Sequence, residues 1–182
     1  AGQRIRQPHQ VCRVAGADTT GTLGIIRTLR RRGYKIGSTT GYMTEMMKIN
    51  LRDAAKQGYI PDSTVCASEV PAGRPYPYMC LQNVMNLGVS PVEACVKIDD
   101  TRPGVEEGLN GGMWKIGLAI SGNEIGLSLR DWTRLPKADQ ERMRQGAYAR
   151  MRQCGAHYVV DTIADIMPCL DDVEARLARG ER

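Results

Sequence analysis

Apolar residues along the chain fall either into short continuous runs or into longer stretches with helical spacing. The short runs predict strands at residues 34–37, 64–67, 94–98, 115–120 and 158–160. The stretches with helical spacing predict helices at residues 22–32, 42–57, 79–87, 137–153 and 169–179. Because strands and helices alternate, the pattern predicts an α/β protein with a doubly wound, Rossmann-like parallel sheet.

The helix predicted at residues 42–57 is rich in methionine. Met43, Met46, Met47, Leu51 and Ala54 recur at helical spacing along it. The chain has nine Met and no Phe, so flexible methionines are expected to fill the gaps that aromatic rings would otherwise fill. We therefore interpret this stripe as part of the core.

Polar side chains follow three of the predicted strands, at the point where each strand ends or the next helix begins. In a doubly wound sheet the carboxyl ends of the strands converge on one crevice. Hydroxyl and guanidinium groups hold phosphoryl oxygens, whereas carboxylates hold the metal ion that neutralises the remaining charge. The polar groups are the hydroxyls of Ser38, Thr39 and Thr40, the guanidinium of Arg74, and the carboxylates of Asp99 and Asp100.

Two of these signals have a second interpretation. Adjacent hard oxygen donors at Asp99 and Asp100 suit Mg²⁺, but the same residues are typical of a turn that caps the helix after Thr101. Arg74 lies in a proline-rich loop before a helix, where guanidinium and helix N-terminus together favour an anion. It is equally compatible with a surface arginine in a rigid turn.

Composition narrows the class of partner. The 182 residues are enough for one domain with a sizeable core, and the net charge of +5 suits an anionic substrate. Arginine clusters at residues 27–32 and 142–152 are not regularly interleaved with aromatics, since Tyr148 is the single aromatic in them, and this favours solvated helix faces over a nucleic-acid interface. Six scattered cysteines predict reduced thiols in a cytoplasmic protein, and no stretch is apolar enough to span a membrane.

Longer motifs carry a family resemblance. They include Arg-Gly-Tyr-Lys-Ile-Gly-Ser-Thr-Thr-Gly-Tyr-Met-Thr-Glu-Met-Met at 32–47, Pro-Ala-Gly-Arg-Pro-Tyr-Pro-Tyr-Met-Cys at 71–80, and the segments 93–101, 107–114, 121–124 and 155–161. With these motifs the chain resembles the haloacid dehalogenase superfamily of phosphotransferases. Within that superfamily it resembles the phosphonoacetaldehyde hydrolase (phosphonatase) family. The resemblance covers nearly all of the chain after residue 20.

This resemblance implies a Mg²⁺-dependent, homodimeric hydrolase that cleaves the C–P bond of a small phosphonate, phosphonoacetaldehyde, to acetaldehyde and phosphate. It implies that Thr40, with its two hydroxyl neighbours, contacts the phosphoryl group, and that Arg74 binds phosphoryl and nucleophile. Asp100 would be the Mg²⁺ ligand, with Asp99 beside it where many members have Gly. Gly104 stands where some relatives have Asp, so the resemblance does not supply a second acidic residue that would support the metal site.

Two functional groups of the family find no counterpart in these motifs. Its nucleophilic Asp lies on the central first strand, and a Lys of the cap domain forms a Schiff base whose iminium stabilises the carbanion left by C–P cleavage. We therefore expect residues 1–20 to be a truncated cap-to-core segment, 21–182 to be the core, and the cap to be essentially absent. The sheet would then have a gap between the strands ending at Gly37 and Asp99, and the chain alone would be marginally stable and inactive.

Residues 18–22, Asp-Thr-Thr-Gly-Thr, resemble the superfamily's nucleophile signature. We favour a hairpin or helix-cap role for Asp18, because the preceding residues 11–17 make a poor buried strand. If those residues instead fill the gap, Asp18 reaches the site. Three hypotheses remain: a phosphonatase core, a generic Mg²⁺-dependent phosphatase that uses Asp18, and a non-catalytic core that binds phosphate and Mg²⁺.

Overall fold

The computed structural model describes residues 10–12, as backbone only, and residues 21–181. The strands are β1 (Gln10–Cys12), β2 (Lys35–Thr40), β3 (Ser63–Cys66), β4 (Cys95–Asp99), β5 (Trp114–Leu118) and β6 (Tyr158–Val160). The helices are α1 (Thr22–Arg31), α2 (Thr44–Lys56), α3 (Tyr78–Leu87), α4 (Arg102–Asn110), α5 (Leu129–Arg134), α6 (Lys137–Gln153) and α7 (Met167–Ala178). The six strands form one parallel sheet in the order β3-β2-β1-β4-β5-β6, which confirms the predicted fold class.

The centre of the sheet corrects one expectation. A gap was predicted between β2 and β4, but β1 lies there, with Val11 in register with Ile36 on one side and Val96 on the other. The prediction of an empty position is therefore wrong. Two inner strands facing a gap would leave rows of backbone donors and acceptors without partners, and pairing with β1 satisfies them. Residues 13–20, including Asp18, lie outside the described part of the chain.

Each sheet face receives alternate residues of the strands, as the pleat requires. On β4, Val96 and Ile98 join the core cluster that contains residues of α1 and α7. Cys95 of the same strand packs with residues of α3 on the opposite face. Both faces are thus covered, which explains why the strands appear in the sequence as continuous apolar runs.

The observed elements differ from the predicted ones in two informative places. Residues 38–40 were predicted to follow the strand at 34–37, but they continue β2 and pair with residues 64–66 of β3. Threonine is β-branched and common in strands, so these hydroxyls alone did not mark the end of the strand. Helix α5 was not predicted, because its six residues are too few for a periodic pattern.

The methionine stripe of α2 is less buried than predicted. Met43 and Met46 are 61% and 51% exposed, and α2 has no buried residue. The prediction that these two methionines belong to the core is therefore wrong. Met47, Leu51 and Ala54 are partly covered, so only one edge of the apolar arc faces the body of the protein.

The cysteines and the helices agree with the sequence in two further respects. Cys66 and Cys154 are buried free thiols, Cys169 is a partly buried free thiol, and Cys80 and Cys95 are buried. Of the helices in residues 21–181, none combines the length and the apolar character that a transmembrane segment needs.

Helix α4 approaches the sheet unusually closely. Thr101 caps it by accepting a hydrogen bond from the backbone N–H of Gly104. A Cβ on Gly104 would lie 2.0 Å from Cγ of Asp99, and one on Gly108 would lie 2.6 Å from Cβ of Lys97. Both glycines are therefore required for the helix to lie directly on β4.

We expect Gly108→Ala to destabilise the fold by about 1–3 kcal/mol, because the new methyl group overlaps Lys97. The matched control is Gly24→Ala in α1, where an added Cβ has no neighbour within 4 Å. That change should stabilise the fold by about 0.5–1 kcal/mol, since alanine favours a helix over glycine. Urea unfolding of the two variants measures both effects, and equal shifts would contradict the close packing of α4.

A histidine lies at the opposite, amino-terminal end of the strands. The Nδ1 atom of His157 accepts a hydrogen bond from the backbone N–H of Lys115 at 3.1 Å, and the amine of Lys115 lies 3.3 Å from Nε2. Partial burial, and then the positive charges of Lys115 and Arg176, lower the pKa of His157 to about 4. The ring is therefore neutral at physiological pH.

This lowered pKa predicts a pH dependence of stability. In the unfolded chain His157 takes up a proton near pH 6.5, whereas in the folded chain it does so near pH 4. Its contribution is therefore fully present above pH 6.5 and is lost as the pH falls towards 4. We expect His157→Gln to flatten the stability profile in this window, and NMR titration of the His157 ring to give a midpoint well below 6.5. A midpoint at the ordinary value would show that the surrounding charges have no such effect.

Candidate functional site

Arg74 is fixed at the carboxyl edge of the sheet by three hydrogen bonds. Its Nη2 atom donates to the hydroxyl and to the carbonyl oxygen of Thr39, at 2.9 and 3.1 Å. Its Nε atom donates to Oε2 of Glu107 at 3.1 Å. Within residues 21–181 the Nη1 group takes part in no hydrogen bond, and its two N–H donors are the ones that a ligand could use.

Lys97 lies beneath Arg74 in the middle of β4 and is fully buried. Its amine donates to the hydroxyl of Thr39 and to Oε2 of Glu107, both at 2.7 Å. It also lies 3.5 Å from Oδ2 of Asp99. One hydroxyl and one carboxylate oxygen therefore serve both cations, which ties Lys97 and Arg74 into a single cluster.

The charges of this cluster balance. Arg74 and Lys97 face the carboxylates of Asp99 and Glu107, two cations against two anions. Burial lowers the pKa of both cations, but the facing carboxylates, together with the thiol of Cys80, outweigh it and raise both pKa values. Arg74 and Lys97 thus stay charged at physiological pH.

Asp99 faces these cations. Its Oδ1 atom accepts hydrogen bonds from the backbone and the hydroxyl of Thr101, at 3.0 and 2.8 Å. Its Oδ2 atom lies 3.7 Å from Nη2 of Arg74. The carboxylate lies against Gly104, where a Cβ would be 2.2 Å from each of its oxygens. Its contacts are those of a counter-charge, more than those of a metal ligand.

Asp100 has different surroundings. It is buried, and its Oδ2 atom accepts hydrogen bonds from the backbone and the side-chain amide of Asn123, both at 3.0 Å. Gly122 lies so close that a Cβ there would be 2.3 Å from the same oxygen. The loop after β5 therefore wraps around this carboxylate and holds it in one orientation.

The donor chemistry fits Mg²⁺ in part. Within residues 21–181 no three His, Cys, Asp or Glu side chains form a group that could hold a metal ion. Mg²⁺ is nevertheless commonly bound through one or two carboxylates, with water and phosphate completing its octahedron. Asp100 can supply one such hard oxygen ligand.

The hydroxyl residues of β2 separate into different roles. Thr39 contacts Arg74 and Lys97 directly, whereas the carbonyl of Ser38 accepts a hydrogen bond from Asn83 of α3. The hydroxyl of Thr40 accepts from the backbone N–H of Tyr42 at 3.2 Å. In the described part of the chain, contacts therefore join Arg74 to Thr39 and Asp99, and no contact joins it to Thr40.

Lys97 and Glu107 were not predicted as part of this site. The sequence did contain a signal, because Lys97 interrupts the otherwise apolar run at residues 94–98 that was predicted to be a strand. A lysine in such a strand requires an anionic partner. Glu107 lies one position from Glu106, however, and nothing in the sequence distinguishes the glutamate that points inward.

No protein-family model matches the chain, but similar proteins and solved structures do. It is 48% identical to phosphonoacetaldehyde hydrolase from Hahella chejuensis, over 88% of this chain and 54% of that protein. It is 45% identical to phosphonoacetaldehyde hydrolase from Klebsiella pneumoniae, over 96% of this chain and 66% of that protein. A crystal structure of a phosphonoacetaldehyde hydrolase-like protein from Oleispira antarctica matches with a TM-score of 0.88 and 46% identity, over 90% of this chain and 59% of that one. The chain thus spans between about half and two thirds of these relatives.

The different surroundings of the two adjacent aspartates predict different effects on metal binding. Asp100→Asn should weaken Mg²⁺ binding by about tenfold or more, because it removes the charge of the carboxylate that we propose as the metal ligand. Asp99→Asn should change the Mg²⁺ affinity by less than about threefold, because its carboxylate faces Arg74 and Lys97. Calorimetric titration of both variants with Mg²⁺ makes the comparison, and equal losses would contradict the assignment of Asp100.

Proposed function

Because the chain belongs to the phosphonoacetaldehyde hydrolase family of the haloacid dehalogenase superfamily, we propose that it is the phosphoryl-binding core of a Mg²⁺-dependent hydrolase. The reaction is cleavage of the C–P bond of phosphonoacetaldehyde, which gives acetaldehyde and phosphate. The observation that carries the proposal is the fixed guanidinium of Arg74 at the carboxyl edge of the sheet, where β4 also ends in Asp99 and Asp100.

The phosphoryl group would be held mainly by Arg74. The Nη1 group would donate to a phosphoryl oxygen, since a guanidinium forms a strong charge-assisted hydrogen bond with a phosphate. Thr40, at the end of β2, would offer its hydroxyl to a further oxygen. The bonds from Arg74 to Thr39 and Glu107 prevent the guanidinium from rotating, so the anion meets a preformed site.

Asp100 would hold the Mg²⁺ ion, with Asn123 fixing the orientation of the carboxylate. A bound Mg²⁺ neutralises part of the phosphoryl charge and so makes attack on phosphorus easier. Asp99 would serve the site through Arg74 and Lys97, in place of a second ligand.

The aldehyde end of the substrate requires a group that this site does not offer. Breaking a C–P bond leaves a carbanion, which an iminium formed between a lysine amine and the aldehyde stabilises. All six lysines of the chain lie in its described part, and among them Lys97 contacts the site residues. Its amine is fully buried and bound to Thr39 and Glu107. We therefore propose that the amine comes from a part of the full-length protein outside these 182 residues.

We also propose a substrate class, an assembly and a location for the full-length protein. The substrate would be a small-molecule phosphonate, and the protein would act as a cytoplasmic homodimer that binds neither nucleic acid nor membrane. The free cysteines in the described part of the chain are compatible with a reducing compartment.

One observation favours a second candidate function, a generic Mg²⁺-dependent phosphatase. Strand β1 occupies the central position of the sheet and runs parallel to β2 and β4, so its carboxyl end points to the same edge as Arg74 and Asp100. Asp18 follows β1 by six residues in the sequence. In this alternative Asp18 is the nucleophile, and simple phosphoesters are the substrates.

Three measurements on the purified chain separate these functions. We expect Mg²⁺-dependent binding of inorganic phosphate that Arg74→Ala weakens by about 100-fold, because the charge of the guanidinium and its charge-assisted hydrogen bond are lost. We expect no release of acetaldehyde from phosphonoacetaldehyde, since the lysine amine is absent. Hydrolysis of a simple phosphoester that Asp18→Asn abolishes would establish the second candidate instead.

Two results would contradict the proposed core function. The first is phosphate binding that is absent, or that is unaffected by Arg74→Ala. The second is release of acetaldehyde by the chain alone, which would show that the amine has been assigned to the wrong part of the protein.

A further inference from the structure

We propose that Glu107 is a positioning residue that fixes the orientation of Arg74, and that Lys97 makes this possible by balancing the charge of Glu107. This inference rests on the proposed function of Arg74 as the phosphoryl-binding cation. It assigns a role to two buried charged residues that would not touch the substrate.

Two residues hold the guanidinium of Arg74 from different sides. Glu107 accepts from Nε of Arg74, and Thr39 accepts from Nη2, so two different edges of the planar group are held. The remaining Nη1 group is left for a ligand. Without the bond to Glu107, the guanidinium could rotate about the bonds to Thr39, and the direction of Nη1 would no longer be defined.

The charge of Glu107 is shared between Arg74 and Lys97. If Arg74 were the only cation near Glu107, that carboxylate would neutralise the charge that Arg74 needs for an anion. Lys97 lies 2.7 Å from the same oxygen of Glu107 and is fully buried, so it supplies the main counter-charge. Asp99, 3.5 Å from Lys97 and 3.7 Å from Arg74, completes an electrically neutral group before an anion and a metal ion bind.

Helix α4 places Glu107 close to Lys97 because the helix lies directly on β4. Gly104 and Gly108 let the helix lie directly on β4, over Asp99 and Lys97. Glu107 is therefore fully buried, whereas its neighbour Glu106 is partly exposed. Gly104 thus faces Asp99, Gly108 faces Lys97, and Glu107 between them reaches the amine of Lys97.

The experiment compares Glu107→Gln with the matched control Glu106→Gln. Titration with inorganic phosphate at saturating Mg²⁺ gives the affinity of the site. The ¹H–¹⁵N correlation of Nε in Arg74, recorded without phosphate and assigned with Arg74→Lys, reports the orientation of the guanidinium. A role in stability alone would leave this resonance unchanged in a folded variant.

We expect Glu107→Gln to reduce the phosphate affinity by about tenfold, because a charge-assisted hydrogen bond becomes a neutral one. The Nε–H resonance of Arg74 should move towards the position of a solvent-exposed arginine. Glu106→Gln should change neither quantity. A folded Glu107→Gln variant with wild-type affinity and an unshifted resonance would overturn the proposal.

Removal of one buried charge can unfold the chain, so two further measurements keep the inference testable. The double variant Lys97→Met with Glu107→Gln removes both charges of the pair, and it should fold but bind phosphate as weakly as the single variant. In the wild-type chain, the Nε–H group of Arg74 should be protected from exchange with solvent. Rapid exchange there would overturn the proposal without any variant.

The failure of this inference differs from the failure of the proposed function. If the wild-type chain does not bind phosphate, the proposed function fails, while the Arg74 resonance still tests whether Glu107 positions the guanidinium. If the wild type binds phosphate and the Glu107 variant binds it equally well, only the positioning role fails.

Discussion

The rest of the site depends on a buried lysine in the middle of a parallel strand. Lys97 is fully enclosed on β4, and a charge in such a place costs several kcal/mol unless it is paired. The pairing comes from Glu107 and Asp99, and Glu107 reaches Lys97 because α4 lies close to the sheet. That approach in turn requires glycine at positions facing β4, as at Gly108. The ion pair of Lys97 with Glu107 thus depends on glycine in α4.

This link explains how one edge of the sheet can favour an anion and a cation side by side. Arg74 is held at this edge by Thr39 and Glu107, which bind its Nη2 and Nε atoms. Asp100 directly follows β4, and its carboxylate is held by Asn123. Because the charges beneath Arg74 are already balanced, neither an incoming phosphoryl group nor a metal ion has to displace an existing ion pair.

Much of the fold could be predicted from the sequence, because the apolar runs and the helical spacing reflect burial on both faces of the sheet. The prediction was wrong where a pattern has two meanings. The methionines of α2 have helical spacing, yet Met43 and Met46 are exposed, since spacing gives the apolar face but not what covers it. The central strand β1 was missed because a short and partly polar segment gives a weak signal, while the demand of β2 and β4 for partners is a property of the whole sheet. Glu107 could not be chosen over Glu106 for the same reason: its partner, Lys97, lies on another element.

The most direct test of the account is a crystal structure of the chain with Mg²⁺ and inorganic phosphate. The account predicts phosphate against the Nη1 edge of Arg74, with the metal ion on the carboxylate of Asp100 and Lys97 still bound to Glu107. Phosphate bound instead among the exposed arginines of α1, or a metal ion coordinated by Asp99 in place of Asp100, would contradict it.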